Sequence, residues 1–286
     1  GQEREASEAF YQSLAHQTIF LGRRWQAAPP GLPRFEALTG LIYAGLSLEG
    51  MERHVDPAIK ALSKECERQV DREGGIPTRN PEELLEVFTL LTWAEAALMD
   101  SGRQARPEHM AAIERIAPTL RSLRHAEGSL ARYHGGGKGL EGRLDHALAA
   151  SEVKTQPSEG LHMGFARVTA GRTSVVVDAS PPPSGLASVN GHASTLAFEL
   201  TSGRRPLIVN CGSGQSFGDE WRRAGRATPS HSTLGIDGYS SARLGQPSRL
   251  IGSKQELLVD APDHVHFGQS DIEGGVRLEL SHNGFQ

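Results

Sequence analysis

The chain has 286 residues, a formal net charge of −4 at neutral pH and two cysteines. The weak negative charge argues against a protein that binds nucleic acid or an anionic membrane surface. Two cysteines are too few for a disulfide framework or a multi-cysteine metal site. No apolar run reaches about 18 residues, so we predict no membrane span and expect a soluble protein of the cytoplasm or the periplasm.

Both ends of the chain look cut. It begins at Gly1 rather than at a methionine, and it ends at Gln286 just after a strand-like run. We therefore expect a piece of a longer protein. The compartment and the oligomeric state stay open.

The first part of the chain has the pattern of helices. Apolar residues recur at spacings of three and four over 34–49, where Gly50 can end the helix. Asn80 is suited to be the N-cap, and Pro81 the first residue, of the most clearly predicted helix, 81–99. Further helices are predicted from Pro57 to the glycine pair at 74–75, over 107–124, and more briefly over 140–150. Short connections favour antiparallel neighbours, as in a bundle or a helical toroid.

From about residue 160 onward the apolar period changes to two, which indicates β-strands. The predicted strands lie at 173–179, 195–200, 206–211, 232–237, 256–260, 264–268 and 276–281. Strands without intervening helices favour an antiparallel β-sandwich or a jelly-roll-like sheet. We therefore predict an α+β chain, in which a helical segment over 1–155 is followed by a β-sandwich over 160–286.

Histidines at strand ends are the first candidates for chemistry. His192 stands just before the predicted strand 195–200, and His231 stands just before 232–237. Asn210 ends the strand between them. Imidazoles at the ends of neighbouring strands can converge on one metal ion, and zinc needs three or four such ligands. The simpler alternative is a histidine that forms an ordinary hydrogen bond in a turn.

Other patterns also allow two interpretations. Cys211 is a candidate nucleophile only if a base such as His231 lies beside it. His264 and His266 fall on one sheet face, either as surface residues or as a second pair of ligands. Basic residues gather at Arg121, Arg124, Arg132, Lys138 and Arg143, and again at Arg222, Arg223 and Arg226. Each basic group predicts either a solvated face or a positive rim for an anionic ligand.

Three linked segments in the second half form a pattern. Residues 191–200 read GHASTLAFEL, residues 203–212 read GRRPLIVNCG, and residues 231–237 read HSTLGID after an arginine-rich stretch. These segments are similar to GHAD-x-LSFEL, G-R-x-L-(I/V)-x-D-x-G and HNT-(V/L)-x-(V/I)-D, which occur in this order in one family. In order and spacing, residues 160–286 resemble the heparinase II/III-like proteins.

The resemblance implies an α/α toroid followed by an antiparallel β-sandwich, with an active cleft between them. Members include polysaccharide lyases, which cleave uronic-acid glycans by β-elimination. In such a cleft, polar groups neutralise the uronate carboxylate, a base removes the C5 proton, and an acid protonates the leaving oxygen. The implied partner is an acidic polysaccharide such as a glycosaminoglycan or alginate.

The resemblance also implies a structural zinc ion in the sandwich. It assigns zinc ligation to His192 and His231, and Asn210 stands where the family has an aspartate. Because a neutral amide is a poorer zinc ligand than a carboxylate, the expected zinc depends on what Asn210 does.

The acid and base of known lyases are not found at the matching positions. Asn190 stands where the sandwich carries a catalytic histidine, and Glu83 stands about where the helical half carries a tyrosine. We expect Tyr43, Glu83 or His231 to act in altered catalytic roles. The expected substrate-binding residues are Arg34, Arg79, Asn190, Arg222 and Arg226. Three functions stay open: a divergent lyase, a protein that binds acidic glycans or assembles cell-surface polysaccharide without cleavage, and a scaffold without glycan contact.

Overall fold

The computed structural model describes residues 7–250 and 253–285. Its helices are α1 (Glu8–Arg24), α2 (Leu32–Ser47), α3 (Val55–Gln69), α4 (Pro81–Asp100), α5 (Pro107–Ser122), α6 (Arg143–Ala150) and α7 (Asp219–Gly225). The chain divides into two compact units, one formed by Gly1–Asp71 and Glu86–Arg115, the other by Arg72–Leu85 and Ile116–Gln286. Among the described residues, no helix combines the length and apolar character needed to cross a membrane.

The predicted helices over 34–49, 81–99 and 107–124 are confirmed as α2, α4 and α5. Asn80 caps α4 as predicted, because its Oδ1 accepts the backbone N–H groups of Glu82 and Glu83 at 3.0 and 3.2 Å. In the first unit, the apolar faces of α2 and α3 bury Leu38, Leu62 and Cys66 completely. Burial raises the pKa of the Cys66 thiol to about 12, as suits a core residue.

The strands all follow the main helices. They are β1 (Leu161–His162), β2 (Phe165–Ala170), β3 (Thr173–Asp178), β4 (Phe198–Ser202), β5 (Arg205–Ile208), β6 (Arg243–Leu244), β7 (Ser248–Leu250), β8 (Ser253–Gln255), β9 (Leu258–Val259), β10 (Val265–Ile272) and β11 (Gly275–His282). The first five form one antiparallel sheet in the order β1-β2-β3-β4-β5. The α+β class with helices before antiparallel strands is therefore confirmed, while the domain boundaries 1–155 and 160–286 stay a prediction.

Two layers of strands enclose the apolar core of the second unit. Ala166 and Val177 on the five-stranded sheet, and Ala179 just after β3, are buried. Partly buried residues of the β10–β11 hairpin pack against them, namely Phe267, Leu278 and Leu280. The sheet and the hairpin together give the sandwich-like packing that the strand pattern predicts.

The predicted strand over 232–237 is wrong. This segment forms bends, with one isolated bridge between Ile236 and Tyr239. Side chains occupy the neighbouring backbone acceptors: the Ser232 hydroxyl donates to the carbonyl of Phe198, and the Thr233 hydroxyl donates to that of Thr195 at 2.8 Å. Side-chain bonds of this kind compete with a strand ladder. The segment therefore docks against the start of β4 without joining the sheet.

Candidate functional site

A buried arginine holds the loop that carries Asn190. Arg226 follows α7 and is 1% exposed. Its guanidinium donates to the carbonyl oxygens of Gly191 and Ser188, both at 2.8 Å, and of Glu256 at 2.9 Å. Burial lowers the pKa of Arg226 to about 10. This predicted substrate-binding residue therefore fixes the backbone of the loop, and its own donors are used within the protein.

Asn190 and Arg222, two other predicted substrate-binding residues, lie together at the surface. Nη2 of Arg222 donates to Oδ1 of Asn190 at 2.9 Å and to the carbonyl oxygen of Val189 at 3.1 Å. Asn190 is exposed. In the described part of the chain Arg222 has no carboxylate partner, so its positive charge is not neutralised locally. An uncompensated guanidinium beside an exposed amide is suited to bind a carboxylate or a sulfate.

Two exposed aromatic side chains lie on the same small helix and the turn before it. Phe217 is 75% exposed and Trp221 is 64% exposed, and their ring centroids lie 6.3 Å apart. Trp221 directly precedes Arg222 on α7. Exposed aromatic residues beside arginine are typical of binding surfaces rather than of inert surface. We refer to Asn190, Phe217, Trp221 and Arg222 as the exposed surface.

His192 and His231 form a buried pair of imidazoles whose ring centroids lie 5.1 Å apart. Nδ1 of His231 lies 3.3 Å from Oδ1 of Asn210 and donates to it in the matching tautomer. Nδ1 of His192 and Nε2 of His231 are buried without a hydrogen-bond partner. Burial, and then the charge of neighbouring imidazoles, lowers the pKa of both rings, that of His231 to about 4. Both rings are therefore neutral at physiological pH.

The donor set around this pair does not fit a structural zinc site. Oδ1 of Asn210 already accepts from His231, and the backbone N–H of Ser232 donates to it at 3.4 Å. Two imidazole nitrogens remain, whereas structural zinc sites take four ligands and prefer thiolate, imidazole or carboxylate. Across residues 7–250 and 253–285, no group of three or more His, Cys, Asp or Glu side chains could hold a metal ion.

A second buried group centres on Asp178, at the end of β3. Nη2 of Arg79 lies 2.6 Å from its Oδ1, and Nε2 of His134 lies 3.4 Å from its Oδ2. Burial alone would raise the pKa of Asp178, but Arg79 and His134 hold it at about 2. The other donors of Arg79 reach the carbonyl oxygens of Met163, Gly164, Ser180 and Pro181. Arg79, also predicted to bind substrate, is therefore used in a buried ion pair.

Two polar contacts hold the loops around the imidazole pair, one made by Glu199 on β4 and the other by His134 of the Asp178 group. Oε1 of Glu199 accepts the backbone N–H of Asn210 at 2.9 Å, and its Oε2 lies 2.7 Å from Nε2 of His125. The backbone N–H of His192 donates to Nδ1 of His134 at 3.2 Å. The residues that hold the loops in place are thus polar. The sequence motifs did not indicate Asp178, Glu199, His125 or His134.

The three predicted catalytic residues have separate surroundings. Tyr43 belongs to the first unit, where its hydroxyl donates to the carbonyl oxygen of Trp93 at 3.1 Å. Glu83 and His231 belong to the second unit, and burial raises the pKa of Glu83. His231 is 8% exposed. Among the described hydrogen bonds, none joins Glu83 to His231.

The remaining candidates are engaged in local contacts. Arg34 in the first unit pairs with buried Glu65 at 3.4 Å and donates to the carbonyl oxygen of Ala28 at 2.8 Å. Partial burial raises the pKa of the Cys211 thiol, which is the opposite of what an activated nucleophile needs. His264 is exposed beside Asp263, as a surface residue would be.

We expect acid to destabilise the second unit between about pH 6.5 and pH 4. A histidine that stays neutral in the folded protein contributes its full stabilisation only above the pKa that it has in the unfolded chain, near 6.5. As the pH falls toward the folded pKa of about 4, the unfolded chain binds the proton first and stability is lost. Each such imidazole then costs about 1.4 kcal/mol per pH unit.

Urea unfolding at about pH 7.5, 6 and 5 measures this slope. His231→Gln is expected to reduce the slope, because one titrating ring is removed. His264→Gln is the matched control, since His264 is exposed, and it should leave the slope unchanged. A free energy of unfolding that stays level over this range would contradict the neutral buried pair.

Known proteins share this architecture. Residues 152–286 match the family model described as heparinase II/III-like, C-terminal. The crystal structure of heparinase III is similar, with a TM-score of 0.64 and 15% sequence identity, and the match covers 84% of this chain and 44% of that chain. The crystal structure of a mutant of the heparan sulfate lyase HepC from Pedobacter heparinus is also similar, with a TM-score of 0.60 and 18% identity, and the match covers 96% of this chain and 47% of that chain. At these identities the likeness shows the fold alone.

One curated protein is more similar in sequence. FtsZ-localized protein C of Caulobacter vibrioides is 31% identical over 253 residues, which cover 87% of this chain and 42% of that protein. The chain thus spans less than half the length of the relatives it matches. The activities and partners of these relatives are properties of longer proteins.

Proposed function

This chain belongs to the heparinase II/III-like family, and we propose that it binds an acidic glycan on the exposed surface of α7 without cleaving it. The observation that carries the proposal is the pair of Asn190 and Arg222, held at the surface by buried Arg226. The guanidinium supplies positive charge, and the amide supplies further hydrogen bonds. Phe217 and Trp221 offer flat apolar faces for sugar rings.

The residues at the positions implied for catalysis favour binding over β-elimination. A base that removes the C5 proton works best with a pKa near the operating pH and must reach the sugar. Asn190 has no proton to exchange at that pH. His231 is nearly buried with a pKa of about 4. Cleavage would therefore depend on Glu83, whose pKa burial raises toward that range.

Arg222→Gln is expected to weaken binding of heparan sulfate oligosaccharides about tenfold or more, since a hydrogen bond to a charged group contributes about 1.5–3 kcal/mol. Trp221→Ala is expected to weaken it as well, through lost apolar contact. Titration calorimetry with the purified chain measures both affinities. The same titration with alginate and hyaluronan distinguishes sulfate from carboxylate as the group that is bound.

Arg277→Gln is the matched control for charge. Arg277 is exposed on β11, which is a different element from α7, and it forms an ion pair with Glu279 at 2.6 Å. If Arg277→Gln lowers the affinity as much as Arg222→Gln does, binding depends on net charge, and the exposed surface is not the site. Absence of binding to every acidic glycan would overturn the proposal.

A second candidate function is association with FtsZ. It is favoured by the 31% identity to a protein named for its localisation with FtsZ, over most of this chain. Biolayer interferometry with immobilised FtsZ tests it directly. Saturable binding by the purified chain would support it, and no response at micromolar concentration would remove this chain from that role.

A further inference from the structure

A cavity of about 510 Å³ lies in the second unit, and none of its lining residues belongs to the exposed surface defined above. It is bounded by the end of α5, the turn after it, α6 and β2. The lining includes Arg121, Arg124, His125, Asp145 and Arg167. Three guanidinium groups thus face one carboxylate. We propose that this basic cavity binds a tetrahedral oxyanion, the sulfate or phosphate group of a ligand.

The arginines of the cavity are not balanced by acids. Arg121 donates to the carbonyl oxygens of Thr155, at 2.8 Å, and of Val153. Arg167 donates to those of Ser122 at 3.1 Å and Arg124 at 2.6 Å. Both sets of acceptors are neutral, so each guanidinium keeps its full charge. In the described part of the chain neither one has a carboxylate partner.

Arg124 is the one arginine of the cavity with an acidic partner. Its Nη2 lies 2.8 Å from Oδ1 of Asp145. Three positive charges against one negative charge leave an excess of two around the cavity. Because like charges repel more strongly where water is partly excluded, this excess favours an anion inside. Burial and the charge of Arg124 also lower the pKa of Arg167, as expected for an uncompensated cation.

One unused donor among the lining residues favours the same ligand. His125 is 2% exposed, and its Nε2 donates to Glu199. Its Nδ1 is buried without a partner. Nε of Arg124 is also buried without a partner. Buried polar groups are rarely left unsatisfied in folded proteins. Nε of Arg124 carries a hydrogen and so calls for an acceptor, whereas Nδ1 of His125, whose Nε2 donates to Glu199, is itself an acceptor that an anion does not satisfy. An oxyanion has enough acceptor oxygens to bind several guanidinium groups at once.

The site does not depend on the proposed glycan surface, because it shares none of its residues. Titration calorimetry with inorganic sulfate, inorganic phosphate and sodium chloride at matched ionic strength tests it on the purified chain. We expect saturable binding of sulfate or phosphate and none of chloride. Saturation by sulfate alone assigns a sulfated sugar, and saturation by phosphate alone assigns a phosphate ester.

Two substitutions are expected to act in opposite directions. Arg121→Gln should weaken anion binding about tenfold or more, whereas Asp145→Asn should strengthen it several-fold by freeing Arg124. The side chain of Asp145 is 61% exposed, so this variant is expected to fold. Arg243→Gln is the control, because Arg243 is exposed and pairs with Asp260 at 2.5 Å.

If Arg121→Gln does not fold, the Asp145→Asn variant decides alone. An unchanged or weaker affinity in that variant would overturn the proposal. A calorimetric response to sulfate that does not saturate, and that is equal in all variants, would be a general salt effect. That result would also overturn the proposal.

Discussion

Replacing Arg79 by methionine is expected to lower the free energy of unfolding of the second unit by about 3–5 kcal/mol. The change leaves Asp178 fully buried without its cation, and it leaves carbonyl oxygens of the β1–β2 turn and of the 180–181 loop without donors. Removing one member of a buried ion pair costs more than the pair contributes, because the remaining charge stays desolvated. Urea unfolding followed by circular dichroism measures the loss.

The double variant Arg79→Met, Asp178→Asn separates the ion pair from the carbonyl contacts. It is expected to be less destabilised than the sum of the single variants, since no unpaired charge remains. Arg277→Met is the surface control, where an exposed pair contributes about 1 kcal/mol or less. Equal losses for Arg79→Met and Arg277→Met would contradict the structural role of Arg79.

Asn210→Asp is expected to raise the affinity of this site for zinc enough to hold the ion. The substitution keeps the shape of the side chain and adds a carboxylate beside His192 and His231, which supply unpartnered ring nitrogens. Mutating a residue that only supports a metal ligand lowers the metal affinity about 10–100-fold. We therefore expect a direct ligand to raise the zinc affinity by at least as much. We expect zinc content after dialysis to rise from well below one to near one per chain.

Elemental analysis and the melting temperature with and without a chelator measure this change. In the unaltered chain the chelator should leave the melting temperature unchanged, and in Asn210→Asp it should lower it. The double variant Asn210→Asp, His192→Gln should lose the metal again. Stoichiometric zinc in the unaltered chain, removable by the chelator, would show that the amide suffices as a ligand.

Local patterns predicted most of the helices and the long strands. The N-cap at Asn80 and the apolar spacing in α2 follow from neighbouring residues, so they can be read from a single sequence. The strand over 232–237 failed because its alternating residues are held by hydrogen bonds from Ser232 and Thr233 to the distant carbonyls of Phe198 and Thr195. Such long-range bonds leave no periodic trace.

Some of the motif residues are neighbours in the fold, while their functional roles stay predictions. The motif residues His192 and His231 do lie together, and Asn190 does meet Arg222. The roles of the arginines were not predictable, because an arginine in a surface pair and one in a buried pair have the same sequence neighbourhood. Arg79 meets Asp178 across 99 positions, and His125 meets Glu199 across 74. Only the fold brings these partners together.

Binding of an acidic glycan without cleavage is tested by the ultraviolet absorbance of the unsaturated uronate that β-elimination leaves. The full-length protein is incubated with heparin, heparan sulfate, alginate, hyaluronan and chondroitin sulfate, and binding of each glycan is measured in parallel. We expect a flat absorbance trace with every glycan, together with saturable binding of at least one of them that Arg222→Gln weakens. An absorbance that grows with time and is abolished by His231→Ala would contradict it.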